Sequence, residues 1–259
     1  MNMHGNTILI TGGTGGIGLE LARVLSNRNK VLITGRDPVK LRAASEQIQG
    51  VKTYQSDVSD PAEIAALYEQ VSHEFPKLNI LINNAGVMKA INFHDTQADL
   101  LQLTSEIETN LCGPIRMAKE FLPLLKKQKE AAIMNVSSLL AFVPMAIAPV
   151  YCATKAAVHS FTLSLRVQLK GTNVHVFELA PPPTDTSMLV DAFGLEGSKD
   201  IPKMSVPILA KAAIDGLEND TFEIRPGMSN ALNILSRVVP GSALKKLNKP
   251  TEAVFAASR

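Results

Sequence analysis

Tyr151 and Lys155 stand four residues apart in a stretch of helical spacing, so their side chains share one face. That pairing suits proton chemistry. A phenol has an ordinary pKa of about 10, too high for easy proton exchange near neutrality. A neighbouring ammonium favours the phenolate and lowers that pKa. Such a tyrosine can give a proton to a carbonyl or take one from an alcohol. Ser138 lies upstream and offers a hydroxyl that can hydrogen-bond a substrate oxygen and stabilise developing charge. Each residue also has a bland reading. Tyr151 and Lys155 could be an ordinary amphipathic pair, Ser137 and Ser138 could cap a helix, and Asn110 could be polar on a wet helix face.

A second cluster lies near the N-terminus, where residues 11–18 read Thr-Gly-Gly-Thr-Gly-Gly-Ile-Gly. Gly13, Gly15 and Gly18 satisfy G-x-G-x-x-G, and Gly12, Gly16 and Gly18 satisfy T-G-x-x-x-G-x-G. Glycines here permit a tight turn, let backbone approach a pyrophosphate, and let a helix pack close to a sheet. The helix that follows presents free N–H groups and a positive dipole end to the phosphates. A glycine motif alone is weak. This one has a strand before it and a helix after it, which is the context dinucleotide binding requires.

The elements that must position these groups alternate along the chain. Thr7–Ile10 is an apolar, β-branched run that suits a strand buried on both faces. Further strands are expected at Val31–Thr34, Lys52–Gln55, Leu78–Ile82, Ala132–Val136 and Val174–Leu179. Asp37-Pro38 and Asp60-Pro61 each read as an N-cap followed by proline in the first turn, opening helices to about Gln49 and Phe75. Helical spacing covers about Gln97–Lys127, with Pro114 and Pro123 expected to bend or break it, and again about Val150–Leu169. Alternation of this kind predicts a parallel sheet with helices on both faces. Pro181-Pro182-Pro183 ends the regular pattern. Residues 187–205 show little periodicity and read as a loop acting as a lid over a ligand.

Composition bounds the function classes. The chain has 259 residues, 46% hydrophobic and 19% charged, with 26 Lys+Arg against 24 Asp+Glu. That balance excludes intrinsic disorder. No basic stripe points to nucleic acid. Cys112 and Cys152 make no disulfide framework and suit a reducing, cytoplasmic setting. No apolar stretch reaches the roughly 20 residues of a membrane span, and no signal peptide is read at the N-terminus. With no repeat and no linker, a single domain over residues 1–259 is expected. The five histidines are scattered without metal-ligand spacing. His159 reads as a packed or solvent-facing residue, and Cys152 as a small buried thiol.

Thr11 to Gly18, Asn83-Asn84-Ala85-Gly86, Asn110, Ser138 and the Tyr151-x-x-x-Lys155 motif stand in the order and intervals of the short-chain dehydrogenases/reductases, which the chain resembles over about residues 7–225. The resemblance implies a Rossmann-type doubly wound sheet with strand order 3-2-1-4-5-6-7. It implies hydride transfer between NAD(P)(H) and a carbonyl or alcohol, with the hydride on the cofactor and geometry supplied by the protein. Tyr151 would be the acid/base, Ser138 would bind the substrate oxygen, and Lys155 would hold the nicotinamide ribose. Asn110 would hold a water linking Lys155 to solvent. Gly12, Thr14, Gly15, Gly16, Ile17 and Gly18 would bind the cofactor at its phosphates, Asp57 and Val58 would contact the adenine, and Asn84, Ala85 and Gly86 would also bind the cofactor. Thr186 stands at the family's nicotinamide-contacting threonine, with Thr184 beside it. Pro182 replaces the family's usual glycine and leaves the backbone there open. Asp57 could equally be a loop cap. A homodimer or homotetramer is implied by the resemblance alone. The context of Tyr151, with Ala180-Pro181-Pro182 after the sixth strand, is also similar to the bacterial subgroup encoded beside lipoteichoic-acid D-alanylation genes.

The second strand ends Thr34-Gly35-Arg36, with Gly35 where NAD enzymes place a ribose-binding acid. Arg36 can fork onto a 2′-phosphate and stack on adenine. Asp37, the competing acid, reads better as a helix cap. NADP(H) is therefore the expected cofactor, with NAD(H) possible. On the substrate side, residues 141–147, Met88, Met188 and Phe193 favour a nonpolar or amphiphilic small molecule. Beyond residue 226 a C-terminal extension carries Ala231, Leu232, Leu235, Val238 and Val239 on about one helical face, followed by Lys245, Lys246 and Lys249. That face is expected to pack or join an interface, with attachment to an acidic membrane surface as the alternative. A cofactor-binding sensor or scaffold without turnover is the other function class, and an intact Asn–Ser–Tyr–Lys set argues against it.

Overall fold

The computed structural model describes residues 1–95, 97, 99–199 and 201–249, with the side chains of 195–198 left aside. Seven strands form one parallel sheet in the order β3-β2-β1-β4-β5-β6-β7. They are β1 (Thr7–Ile10), β2 (Lys30–Gly35), β3 (Lys52–Gln55), β4 (Ile80–Asn83), β5 (Ala131–Val136), β6 (Val174–Leu179) and β7 (Glu223–Ile224). This is the Rossmann-type order expected from the sequence.

Strand alternation decides which face each side chain serves. Ile8 and Ile10 of β1 join Ile33, Ile80, Ile82 and Met134 in a core that also takes Leu21 and Leu25 of α1 (Gly16–Leu25), Leu41 of α2 (Pro38–Gln47) and Leu209 and Leu217 of α8 (Val206–Glu218). Leu9, Leu32, Leu81 and Ile133 point the other way. There they meet Leu67 and Val71 of α3 (Pro61–Glu74), Phe121 and Leu125 of α5 (Gly113–Lys126) and Leu165 of α6 (Pro149–Gln168). Both faces being covered is why these strands read as continuous apolar runs. The caps read from sequence are in place. Asp37 accepts from the N–H groups of Val39 (2.8 Å) and Lys40 (3.2 Å), and Asp60 accepts from Ala62 (2.7 Å).

Three expectations are corrected. The long helix is not simply broken at its prolines. It runs as α4 (Leu100–Ile107), a π-helical turn (Glu108–Cys112) and α5, in which Pro114 sits in the first turn and Pro123 lies inside. In the turn, Gly113 N–H donates to the carbonyl of Glu108, five residues back. A proline early in α5 suits a position whose N–H has no intrahelical role. Secondly, the lid region begins as a helix, α7 (Ser187–Lys199), with its helical path interrupted at Gly194 (φ +72°). That interruption hides the period in the sequence. Thirdly, the C-terminal extension is two helices, α9 (Met228–Val238) and α10 (Pro240–Asn248), because Pro240 starts a new helix and does not merely end the first. Residues 250–259 of that extension, residue 98 of the expected helix, residue 200 of the lid and residue 96 lie outside the described residues.

Candidate functional site

The glycine loop leaves β1 and enters α1 beside the end of β4. Gly12 adopts φ +64°, and a Cβ there would come within 2.8 Å of Ala85 Cα, so only glycine fits. Gly18 packs against the carbonyl of Gly12 and the side chain of Asn84. Thr11 staples the two segments together. Its hydroxyl accepts from the N–H groups of Asn84 (3.0 Å) and Ala85 (3.1 Å), while Asn84 Nδ2 donates to the carbonyls of Thr11 (3.0 Å) and Gly12 (3.1 Å). Thr11 was not singled out from the sequence. Its role follows from contacts more than 70 residues apart.

Gly15 and Gly16 are exposed at the start of α1, where no side chain caps the helix and no acid occupies the first turn. The helix therefore keeps its first N–H groups for an anion, and a Cβ at Gly15 would meet nothing within 4 Å. Ile17 packs inward against the core. Thr186 reaches over Gly16, its methyl 3.0 Å from where a Cβ would stand. Both line a cleft of about 420 Å³ between α1, α2 and the start of α7. Thr184 is tied down by its own hydroxyl, which donates to the Pro182 carbonyl at 2.8 Å, and Thr186 N–H donates to the Thr184 carbonyl at 2.8 Å. Pro182 is thus accommodated in a tight turn, fixed further by the bridge between Thr184 and Met204.

At the end of β2, a Cβ on Gly35 would lie 2.8 Å from the Thr14 methyl carbon. A larger side chain at Gly35 would displace Thr14. Arg36 is exposed, and Asp37 is engaged in its cap. Asp57 binds its own turn, accepting from the Ser59 N–H (2.9 Å) and hydroxyl (2.7 Å). Val58 is buried against Gly113, where a Cβ would be 3.0 Å away.

Asn110, Ser138, Tyr151 and Lys155 are all buried at the C-terminal ends of β4 and β5. The π turn aims Asn110 at the β4 exit. Its Oδ1 accepts from Val87 N–H (2.8 Å), and its Nδ2 donates to the Val87 carbonyl (2.8 Å) and the Thr154 hydroxyl (3.2 Å). Ser138 accepts from Leu140 N–H at 3.1 Å, capping a short 3₁₀ turn (Leu139–Ala141). Lys155 Nζ donates to the Val136 carbonyl at 2.9 Å and lies 5.6 Å from the centre of the Tyr151 ring. Gly86 borders this neighbourhood, where a Cβ would make ordinary contact with Asn110 Oδ1 at 3.4 Å and Lys155 Nζ at 3.5 Å.

The electrostatics differ from the sequence expectation. Burial pushes the Tyr151 phenol above its ordinary range, and the nearby Ser138 hydroxyl opposes this only in part. Burial also lowers Lys155 to about 8. The ammonium does not dominate the phenol because both groups have lost water, and loss of water disfavours each charged form.

A further group was missed. Glu106, on α4 one turn before Asn110, is fully buried. Its Oε1 accepts from Lys89 N–H at 2.8 Å, while Oε2 has no hydrogen-bond partner among the described residues. Burial raises its carboxyl pKa, and its charge in turn raises those of Lys155 and Tyr151. Ser137 and His159 also have defined partners. Both bind Glu178, a buried carboxylate on β6, at 2.5 Å from the Ser137 hydroxyl and 2.7 Å from His159 Nδ1. Cys152 is a free, buried thiol.

Residues 6–194 match the family model described as short chain dehydrogenase. The chain belongs to the short-chain dehydrogenase/reductase family. A Bacillus subtilis (strain 168) relative, named Uncharacterized oxidoreductase DltE, is 50% identical over 189 residues, covering 73% of this chain and 75% of the relative. That likeness places the chain close to the D-alanylation-locus subgroup. A Staphylococcus saprophyticus oxidoreductase is 31% identical over 224 residues, covering 84% and 93%. A short chain dehydrogenase from Burkholderia cenocepacia, solved in complex with NADP, superposes with a TM-score of 0.82 at 26% identity over 95% of this chain and 99% of that one. A Burkholderia phymatum member solved with NAD has the same TM-score at 21% identity, covering 90% and 93%. The family carries an oxidoreductase fold that binds a nicotinamide dinucleotide. Among the described residues, no helix is long and apolar enough to cross a membrane, and no group of three or more His, Cys, Asp or Glu could hold a metal.

Proposed function

We propose that this chain is an NADP(H)-dependent reductase of a nonpolar or amphiphilic carbonyl compound, or the corresponding alcohol dehydrogenase, working in the cytoplasm. The observation that carries the reading is the convergence of Asn110, Ser138, Tyr151 and Lys155 in one buried locus beside the open glycine loop. The dinucleotide, when bound, supplies the hydride and, in its oxidised form, a positive ring. Tyr151 is protonated in the bare site and so has a proton to give to a carbonyl oxygen, and a charged Lys155 nearby opposes the effect of burial and eases that transfer. Ser138 orients that oxygen. Lys155, near a pKa of 8, can carry or release a proton in the physiological range and bind ribose hydroxyls. Asn110 fixes the loop after β4 through Val87 and thereby the wall facing Lys155.

Preference for NADP(H) is supported by two features. Thr14 crowds the position where an acid would bind the ribose hydroxyls, and Arg36 is exposed beside it. The apolar surroundings of Tyr151, formed by Met88, Leu139, Leu140 and Leu189 with Met145, Met188 and Phe193, support an apolar substrate. An apolar groove of about 350 Å³ between the π turn and α6, lined by Phe93, Leu111 and Val150, supports pairing of two copies.

The test is NADPH consumption with a panel of hydrophobic ketones and aldehydes. Tyr151→Phe is expected to lower turnover by about 10²–10⁴-fold while NADPH still raises the melting temperature. Near-wild-type turnover in that variant would overturn the role of Tyr151. Arg36→Ala is expected to weaken NADPH at least tenfold and leave NADH unchanged. Equal effects on both would reassign Arg36.

A further inference from the structure

Helix α9 is amphipathic but inverted. Its polar residues Ser229 (0% exposed) and Asn233 face the body of the protein. Most of its apolar residues face outward, with Ile234 54% and Val238 71% exposed and Met228 and Leu235 beside them, while Leu232 packs inward. Val239 at the corner and Leu244 on α10 extend the same exposed apolar surface. A helix that buries its apolar stripe against its own core does the opposite.

Charge adds a second, independent observation. The chain as a whole is nearly balanced, with 26 basic against 24 acidic residues. From residue 225 to residue 249, however, every charged residue is basic: Arg225, Arg237, Lys245, Lys246 and Lys249. Arg225 is turned inward against Glu223 and the Phe142 ring. The other four are exposed on or beside the two helices that carry the apolar surface.

The pair is firmly held from beneath. Asn248 on α10 accepts from Ala146 N–H (2.6 Å) and donates to the Pro144 carbonyl (3.0 Å). Leu232 and Leu247 pack into the cluster that contains Tyr151 and Leu189. The outward surface is therefore presented on a fixed platform.

We propose that α9 and α10 dock the protein onto an anionic lipid bilayer, as a surface attachment and not a span. Ile234, Leu235, Val238 and Leu244 enter the boundary between headgroups and acyl chains, and Arg237, Lys245, Lys246 and Lys249 meet lipid phosphates. A second copy fits this surface less well. An isologous contact would bring two purely basic surfaces together with no acid between residues 225 and 249 of either copy to offset them. An anionic bilayer satisfies both the apolar and the cationic residues.

The experiment is co-sedimentation of the full chain with vesicles of phosphatidylcholine containing phosphatidylglycerol, against phosphatidylcholine alone, at low and physiological ionic strength. Binding is expected only to the phosphatidylglycerol vesicles and is expected to weaken with salt. Lys245→Glu with Lys246→Glu should lower the partition coefficient by about tenfold or more. Ile234→Ser with Val238→Ser should abolish binding even at low salt. Far-ultraviolet circular dichroism melting of both variants establishes that they remain folded. No sedimentation with phosphatidylglycerol vesicles, or sedimentation unchanged by the charge reversal, would overturn the proposal. So would a dimer in light scattering that Ile234→Ser with Val238→Ser dissociates, since that would show a second copy covering the surface.

Discussion

Replacing Lys155 by methionine isolates the free energy stored in a buried charge. The side chain is 3% exposed, and burial lowers its pKa from the ordinary lysine value of 10.5 to about 8. That difference corresponds to a penalty of about 3 kcal/mol on the charged, folded form. Between those two values the unfolded chain binds a proton that the folded chain has released. Wild-type stability therefore rises with pH in that window, and the penalty is fully present below it. Methionine fills a similar volume and does not titrate. It also leaves the Val136 carbonyl without the 2.9 Å bond, a loss of about 1–3 kcal/mol that does not vary with pH. The informative quantity is thus the difference between the two proteins as pH changes. Lys155→Met should lose about 2–3 kcal/mol of relative stability between pH 7 and pH 10, which is roughly 5–10 °C in melting temperature for a chain of this size. The assay is thermal or urea unfolding of both proteins, without cofactor, across that range. Parallel pH curves for the two would refute the claim that Lys155 is a strained, desolvated ammonium.

Two further outcomes test the glycine loop and the surroundings of that lysine. Gly12→Ala forces a side chain into φ +64° against Ala85 Cα, so the melting temperature should fall by the equivalent of about 1–3 kcal/mol and the NADPH-induced stabilisation should shrink. A variant that melts and binds like wild type would show that the loop yields easily. Glu106→Gln removes a negative charge that raises the pKa of both Lys155 and Tyr151, so both limbs of a pH–rate profile should move to lower pH with Lys89 N–H still accepted. An unchanged profile would reduce Glu106 to a loop anchor.

What the sequence discloses here depends on whether a feature is local. The β1–glycine–α1 unit, the Asp-Pro caps and the Tyr151–Lys155 spacing each involve neighbours in the chain, and all stand where the residues suggest. Edges shift by a residue or two, as with β4, which starts at Ile80 and not at Leu78. Features built from distant segments are hidden. Glu106 meets Lys89 across 17 residues, and Ser137 meets Glu178 across 41. Strand β7 holds only two residues, too few to show alternation. The amphipathicity of α9 is visible in its residue types, but the direction it faces is not. The burial of Ser229 and Asn233, set against the exposure of Ile234, Leu235 and Val238, reveals that the apolar side is the outer one.

The π turn between α4 and α5 has a consequence for how this enzyme class can vary. Five residues, Glu108–Cys112, take one more residue per hydrogen-bonded ring than an α-helix would use. The two flanking helices are therefore phased independently. Met117, Phe121 and Leu125 keep α5 locked in the core, while α4 exposes Leu100 and Leu101 and buries mainly Glu106. Rewinding the turn as α-helix with no residue removed would rotate everything on its N-terminal side by about 100°. Glu106 would leave Lys89. The turn thus behaves as a phase joint, beyond which α4 can drift in sequence while the Asn110 clamp on Val87 and the sheet behind it stay in register.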